Sequence, residues 1–363
     1  EGQIGDRFAD HPEVEAAVRR TLGWALLNLG KPDLADNNLV RAYELNLEVY
    51  GSSHETTIQS RSDLGWLAHE RDLLDEAKRW YEAAIDSFSD DTPELLKANV
   101  YNDYGVVLNW YDENEPSLAM LQMAQALVEQ LDPGTEDYDP AMTVGNLAAT
   151  LHSLGRLEEA ETYYLRDIQL KESAPGGEDP NLMYSYNNLA TLYADQKRFD
   201  EVMPLMEQSI ELRRRVLGPE HPSLGRALSN LTVVNVRAGN LDAAQRALDE
   251  AAAISADLPE THDTRFRLRI NQGRILHARG EYPAALRYVA SALADAEAVT
   301  NRNIDEIAAQ LGLLLAQCHA GLGDAEQAIA AASTALDRRR NVYGEDHFLT
   351  EQARAALEQY RSM

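Results

Sequence analysis

The 363-residue chain has one cysteine, Cys318, so no disulfide can form within it. That residue lies on an apolar helical face, where a packed thiol is expected and a nucleophile is not. No run approaches the ~18 apolar residues of a membrane span, and no signal-peptide pattern opens the sequence, so a cytoplasmic setting is the expectation. Basic residues are few. Against 60 Asp and Glu stand 33 Lys and Arg, a net charge of −27. This disfavours nucleic acid and anionic membranes as general partners, and otherwise describes a solvated surface. Catalytic motifs are missing too: there is no glycine-rich phosphate loop, no His-Glu-x-x-His, no paired Cys and no Gly-x-Ser-x-Gly. His54, His221 and His347 occupy equivalent places in links a repeat or more apart, which suits capping or packing better than a shared metal. Neither catalysis, a metal nor a cofactor is expected of this stretch.

What is present is a repeat. A small residue in mid-helix recurs at Gly23, Gly65, Gly105, Ala148, Ala190, Thr232, Gly273 and Ala316, every 40–43 residues. Twelve residues after each stands Ala35, Ala77, Ser117, Ala160, Val202, Ala244, Ala285 and Ala328. Seven further on stands a third column, dominated by Ala. The stretch from Tyr184 to Pro222 shows one unit whole: a helical stripe through Leu189, Leu192 and Tyr193, a break, then a second helix with Val202, Met206, Ile210 and Leu212 inward. Asp200 reads as the N-cap of that second helix, and Gly218-Pro219 as its end. Each unit is therefore an antiparallel helix pair with no strand pattern.

These columns resemble the tetratricopeptide repeat, which has a small residue in its first helix, Gly at the turn and two Ala in its second. Gly30, Gly155, Gly239, Gly280 and Gly323 match the turn; Asp72, Asp112 and Lys197 stand there in the other repeats. The period of about 42 residues, against the ordinary 34, is similar to the longer variety in kinesin light chain and many bacterial signalling proteins. The resemblance implies an all-α, right-handed solenoid of about eight pairs, starting near 12, 55, 93, 138, 180, 222, 263 and 305 and filling residues 11–348. Residues 349–363 would form a capping helix, and residues 1–10 the end of an upstream element or a linker. Asp132–Pro140 is the expected flexible loop. Pro116, at the start of a second helix, is compatible with it, because first-turn amides lack intrahelical partners.

Such an array implies a non-catalytic scaffold presenting a concave groove of first helices to a protein or extended peptide. Two residues before the small column stand Asn146, Asn188, Asn230 and Asn271. The resemblance implies that Asn here bonds the main chain of a bound peptide; bonding to the neighbouring helix is the alternative, and both can hold. Arg226, Arg237, Arg267 and Arg274 fall at groove-facing phases, a candidate anchor for acidic side chains or a free carboxylate, unless they pair with acids such as Asp242 and Glu281. Trp24, Trp66 and Trp110 form a looser column, either inter-repeat core or an apolar pocket. The opening residues 4–16 resemble the start of the repeat region that follows the catalytic domain in bacterial serine/threonine kinases and the DNA-binding domain in some transcriptional activators. With the start at Glu1 rather than Met, the chain reads as a piece of a longer protein, so a regulatory or docking role within such a protein is the alternative to a stand-alone scaffold. A sensor of a small signalling peptide is the third reading.

Overall fold

The computed structural model describes residues 5, 7, 8, 10–131, 140–173, 179–258, 263–297, 302–345 and 347–363. Among them are seventeen helices and no strand. The link expected to flex, 132–140, falls almost wholly outside the described residues, as do most of 1–9, 174–180 and 257–263.

Two compact units divide the chain, Glu1–Asn181 and Leu182–Met363. The first contains the pairs α1 (Pro12–Asn28) with α2 (Pro32–Tyr50), α3 (Glu55–Glu70) with α4 (Leu74–Ile85), α5 (Glu94–Trp110) with α6 (Asn114–Val128), and α7 (Pro140–Ser153) with α8 (Leu157–Glu172). The second contains α9 (Leu182–Asp195) with α10 (Phe199–Leu217), α11 (Pro222–Arg237) with α12 (Leu241–Ile254), α13 (Asp263–Ala278) with α14 (Tyr282–Glu297), α15 (Arg302–Gly321) with α16 (Ala325–Tyr343), and a closing helix α17 (Phe348–Arg361). No described helix is long and apolar enough to cross a membrane.

The turn inside each pair needs one residue in the left-handed region. Gly30 takes φ 66°, and the same place is filled by Asp72, Asp112 and Lys197 at φ 59°, 61° and 62°. The bonds Gly30 N–H to Leu27 O (2.8 Å) and Lys31 N–H to Leu26 O (2.9 Å) use carbonyls that the helix end would otherwise orphan. Between pairs the device changes. Gly218 has φ 91° and ψ 161°, a combination open essentially to glycine alone. Three residues on, the His221 ring nitrogen Nδ1 accepts from Ser223 N–H at 3.2 Å and caps α11. His54 and His347 cap α3 and α17 in the same way.

One expected cap is different. Helix α10 begins at Phe199, so Asp200 lies inside its first turn and Arg198 holds the cap position with no side-chain cap bond. The turn ending at Lys197 sets that start. Arg198 instead grips Glu201 through Nε at 2.6 Å and lies over the Tyr193 ring.

The small column is explained by its neighbour sixteen residues on. A Cβ at Gly65 would stand 2.6 Å from the Tyr81 ring, and one at Gly23 or Gly105 would meet Leu39 or Leu121 at 2.5 or 2.6 Å. Small residues here let the two helices of a pair close on a large buried side chain. Within each unit, first helices also touch the next first helix (α1 with α3, α3 with α5, α5 with α7; α11 with α13, α13 with α15, α15 with α17), whereas second helices pack chiefly on the first helices flanking them. The first helices therefore make one shared face in each unit. Cys318 is buried in α15, and burial pushes its thiol up to about 11, keeping it protonated.

Candidate partner-binding faces on the first helices

Every partnered member of the asparagine column reaches back one repeat, to the residue just before the column in the preceding first helix. In the first unit, Asn146 Nδ2 donates to Asn102 Oδ1 at 3.0 Å. In the second, Asn230 Nδ2 approaches Asn187 Oδ1 at 3.4 Å, and Asn271 Nδ2 donates to both the carbonyl and the hydroxyl oxygen of Ser229 at 2.9 Å. Asn188 makes no side-chain hydrogen bond among the described residues, and its amide stays half-buried. The column thus mixes amides spent on stacking with one left open.

Where the first unit carries Asp in this column, the same register holds with charge. Asp63 is buried and accepts from Arg20 Nε at 2.5 Å and NH2 at 3.2 Å, from Trp24 Nε1 at 3.1 Å and from Gln59 Nε2 at 3.3 Å. Four donors on one buried carboxylate satisfy the acceptor sites that burial takes from water. Asp103 is served less well, by Asn102 and Ser62 at 3.4 and 3.5 Å. Burial raises its carboxyl to about 6; the Asn102 bond opposes this, and the Asp63 charge adds to it.

The tryptophans separate. Trp24 is tied to Asp63. Trp66 packs against the core and meets His69 in a T-shaped contact at 5.3 Å, and Trp110, 59% exposed, makes a T-shaped contact with the same ring at 5.5 Å. None of the three lines the large cavity of this unit, about 730 Å³, which lies at the N-terminal ends of α1, α3 and α5 beside the end of α2.

In the second unit, arginines occupy the face. Arg237 crosses from α11 to α9, donating to Asp195 Oδ1 at 3.2 Å and Ala194 O at 2.8 Å. Arg274 donates to Asn271 Oδ1 at 2.9 Å and to Gln310 of α15 at 3.3 Å. Burial, then the charges of Arg267 and Arg237, pull the Arg274 guanidinium down to about 10. Arg226 and Arg267 are exposed. Asp242, a possible partner for this stripe, pairs instead with Arg279 at 3.6 Å. The two units also differ in charge. Residues 1–181 carry 36 acidic and 13 basic side chains, net −23; residues 182–363 carry 24 and 20, net −4, completing the −27. Among the described residues no cluster of His, Cys, Asp and Glu is placed to hold a metal ion.

A sequence profile of the tetratricopeptide repeat matches residues 13–90, 139–213 and 181–257, and a second such profile matches 267–291. The chain belongs to the tetratricopeptide repeat family. Solved structures agree on the fold. Aspartyl phosphate phosphatase F from Bacillus subtilis superposes with a TM-score of 0.63 at 13% identity, over 85% of this chain and 76% of that one. The apo form of RapI gives 0.61 at 15%, over 78% and 98%. A kinesin light chain repeat protein from Podosopora anserina gives 0.47 at 20%, over 54% and 93%. No curated protein matches the sequence. At these identities the first two likenesses show the tetratricopeptide fold and nothing of the partner.

Two features of the tetratricopeptide faces escape the column reading. The cavity wall residues Glu13 and Glu55 share the 42-residue spacing, so extending the search to the first helical turns would have reached them. The reach of the asparagines to the preceding repeat has no signal in one sequence, since a groove amide and a stacking amide look alike.

Proposed function

We propose that this tetratricopeptide array is a non-catalytic scaffold whose first-helix faces bind another protein or an extended peptide, and that the face of the second unit takes an acidic segment or a free carboxylate. One observation carries the reading: Arg237, Arg267 and Arg274 stand together on α11 and α13 of a strongly acidic chain, close enough that Arg267 and Arg237 help drive the Arg274 guanidinium down to about 10. Crowding like charges costs free energy in the empty protein, and an anion between them recovers it. Asn188, with an uncommitted amide on α9, offers a donor and an acceptor to the main chain of such a segment.

The test is fluorescence anisotropy with a labelled Asp/Glu-rich peptide, on the full chain and on an Arg226→Gln, Arg267→Gln double variant. Both positions are exposed, so folding should be unaffected. Loss of roughly three- to thirtyfold in affinity is expected, from two ion pairs of up to ~1 kcal/mol each. A free C-terminus binding better than its amide would assign a carboxylate anchor. Equal binding by wild type and variant would remove the arginine face from the reading.

A further inference from the structure

We infer that the cavity of the first unit is a docking site for a peptide segment of the opposite polarity, in which an aliphatic residue is flanked by lysine or arginine. This rests on the reading of the first-helix faces as peptide-binding surfaces and assigns a second, different specificity to the same protein. At about 730 Å³ the cavity falls within the size range of sites that enclose a ligand of drug size or a few residues of chain.

Its wall supplies three recognition elements. Val14, Leu95 and Leu96 give it an apolar floor, with Val14 40% exposed and so without a covering partner. Asn99 stands half-buried on the wall with no hydrogen-bond partner among the described residues, a free donor and acceptor for a passing main chain. Glu13 and Glu55 contribute carboxylates, and Glu55 has no ion pair among the described residues.

The sign of the site follows from what opposes those carboxylates. Arg20 is a cation on the wall, and its charge is already matched by the buried Asp63 at 2.5 Å. The N-termini of α1, α3 and α5 each add about half a positive charge, together less than the two full charges of Glu13 and Glu55 on the wall. His11 lies 3.6 Å from Glu13 and adds charge only when protonated. The cavity therefore remains negative at neutral pH, inside a unit of net −23. That field attracts a cationic segment and rejects the acidic one suited to the second unit.

The probe is a labelled heptapeptide of alternating leucine and lysine with blocked ends, compared by anisotropy with analogues carrying glutamine or glutamate for lysine, at two salt concentrations. The full chain is used, as wild type, as Glu13→Gln with Glu55→Gln, and as Ala17→Trp, which fills the cavity from an exposed position of α1 without altering charge. Circular dichroism establishes folding of each. The expected result is binding of the leucine/lysine probe, a loss of about three- to thirtyfold in the double glutamine variant, and near-complete loss in Ala17→Trp. If the probe binds but both variants bind it as wild type does, the attraction is only the diffuse field of the acidic chain, and the cavity assignment is overturned. If the glutamate analogue binds the cavity better, the sign is wrong. If this probe fails while the acidic probe still binds through Arg226 and Arg267, the inference fails alone; if both probes fail, the peptide-binding reading falls with it.

Discussion

Substituting Asn271 and Asn188 separately tells apart the two uses of one sequence column. Asn271 is 2% exposed; its amide nitrogen serves both oxygens of the buried Ser229, and its oxygen receives Arg274. Asn271→Ala removes these bonds and leaves polar atoms buried without partners. A buried hydrogen bond is worth about 0.5–1.5 kcal/mol net and an orphaned group costs about 1–3, so the variant should lose roughly 1.5–3 kcal/mol. Asn188→Ala breaks no bond among the described residues and should stay within about 0.5 kcal/mol of wild type. Because repeat arrays need not unfold in one step, urea unfolding followed by circular dichroism should be joined to hydrogen exchange resolved by peptide. The loss of protection for Asn271→Ala should centre on α11 and α13, the two helices that the amide joins. Binding of an acidic peptide should show the opposite order, with Asn188→Ala weakening it in a fully stable protein. Equal stability losses at the two positions, or none at Asn271, would refute the assignment of Asn271 to the stack.

Three further outcomes follow from the structure. Gly65→Ala should destabilise the protein by up to about 2 kcal/mol, since overpacking against Tyr81 (~1–3 kcal/mol) exceeds the helix-propensity gain (~1 kcal/mol); in a Tyr81→Ala background, which removes the ring that the new Cβ meets, the same change should raise the unfolding midpoint. Lys197→Gly should raise stability by roughly 0.5–1 kcal/mol by relieving a φ of 62°, read as a higher melting temperature. Asp103, at about 6 in the folded protein against an ordinary 3.8, binds its proton more tightly folded than unfolded. Its contribution to stability therefore falls as pH rises from about 4 to 6, and Asp103→Asn should flatten that part of the stability–pH curve and stabilise the protein at neutral pH; an unchanged curve would count against the raised value.

Much of the architecture was legible because a repeat writes its own constraints many times. The glycines and alanines of the small column are fixed by helix–helix distance, a local property of each pair. Asp72, Asp112 and Lys197 stand out as substitutes at the turn position, and they adopt the left-handed conformation of the glycines they replace. The histidine links were legible as caps for the same reason, since a cap joins residues two apart. Asp200 misled, because a good capping residue one place late cannot move a helix start already set by the turn before it.

Only the tertiary structure decided what each face residue spends its polar atoms on. Asn188 and Asn271 are the same residue in the same column, yet one amide is open and the other is consumed by Ser229. Arg20 is matched by Asp63 forty-three residues away, on the next first helix. The sequence by itself determined the repeat, its helix pairs and its turns, since these depend on residues close together in the chain. Which polar atoms each face leaves open depends on distances between successive first helices, which no spacing in the chain encodes.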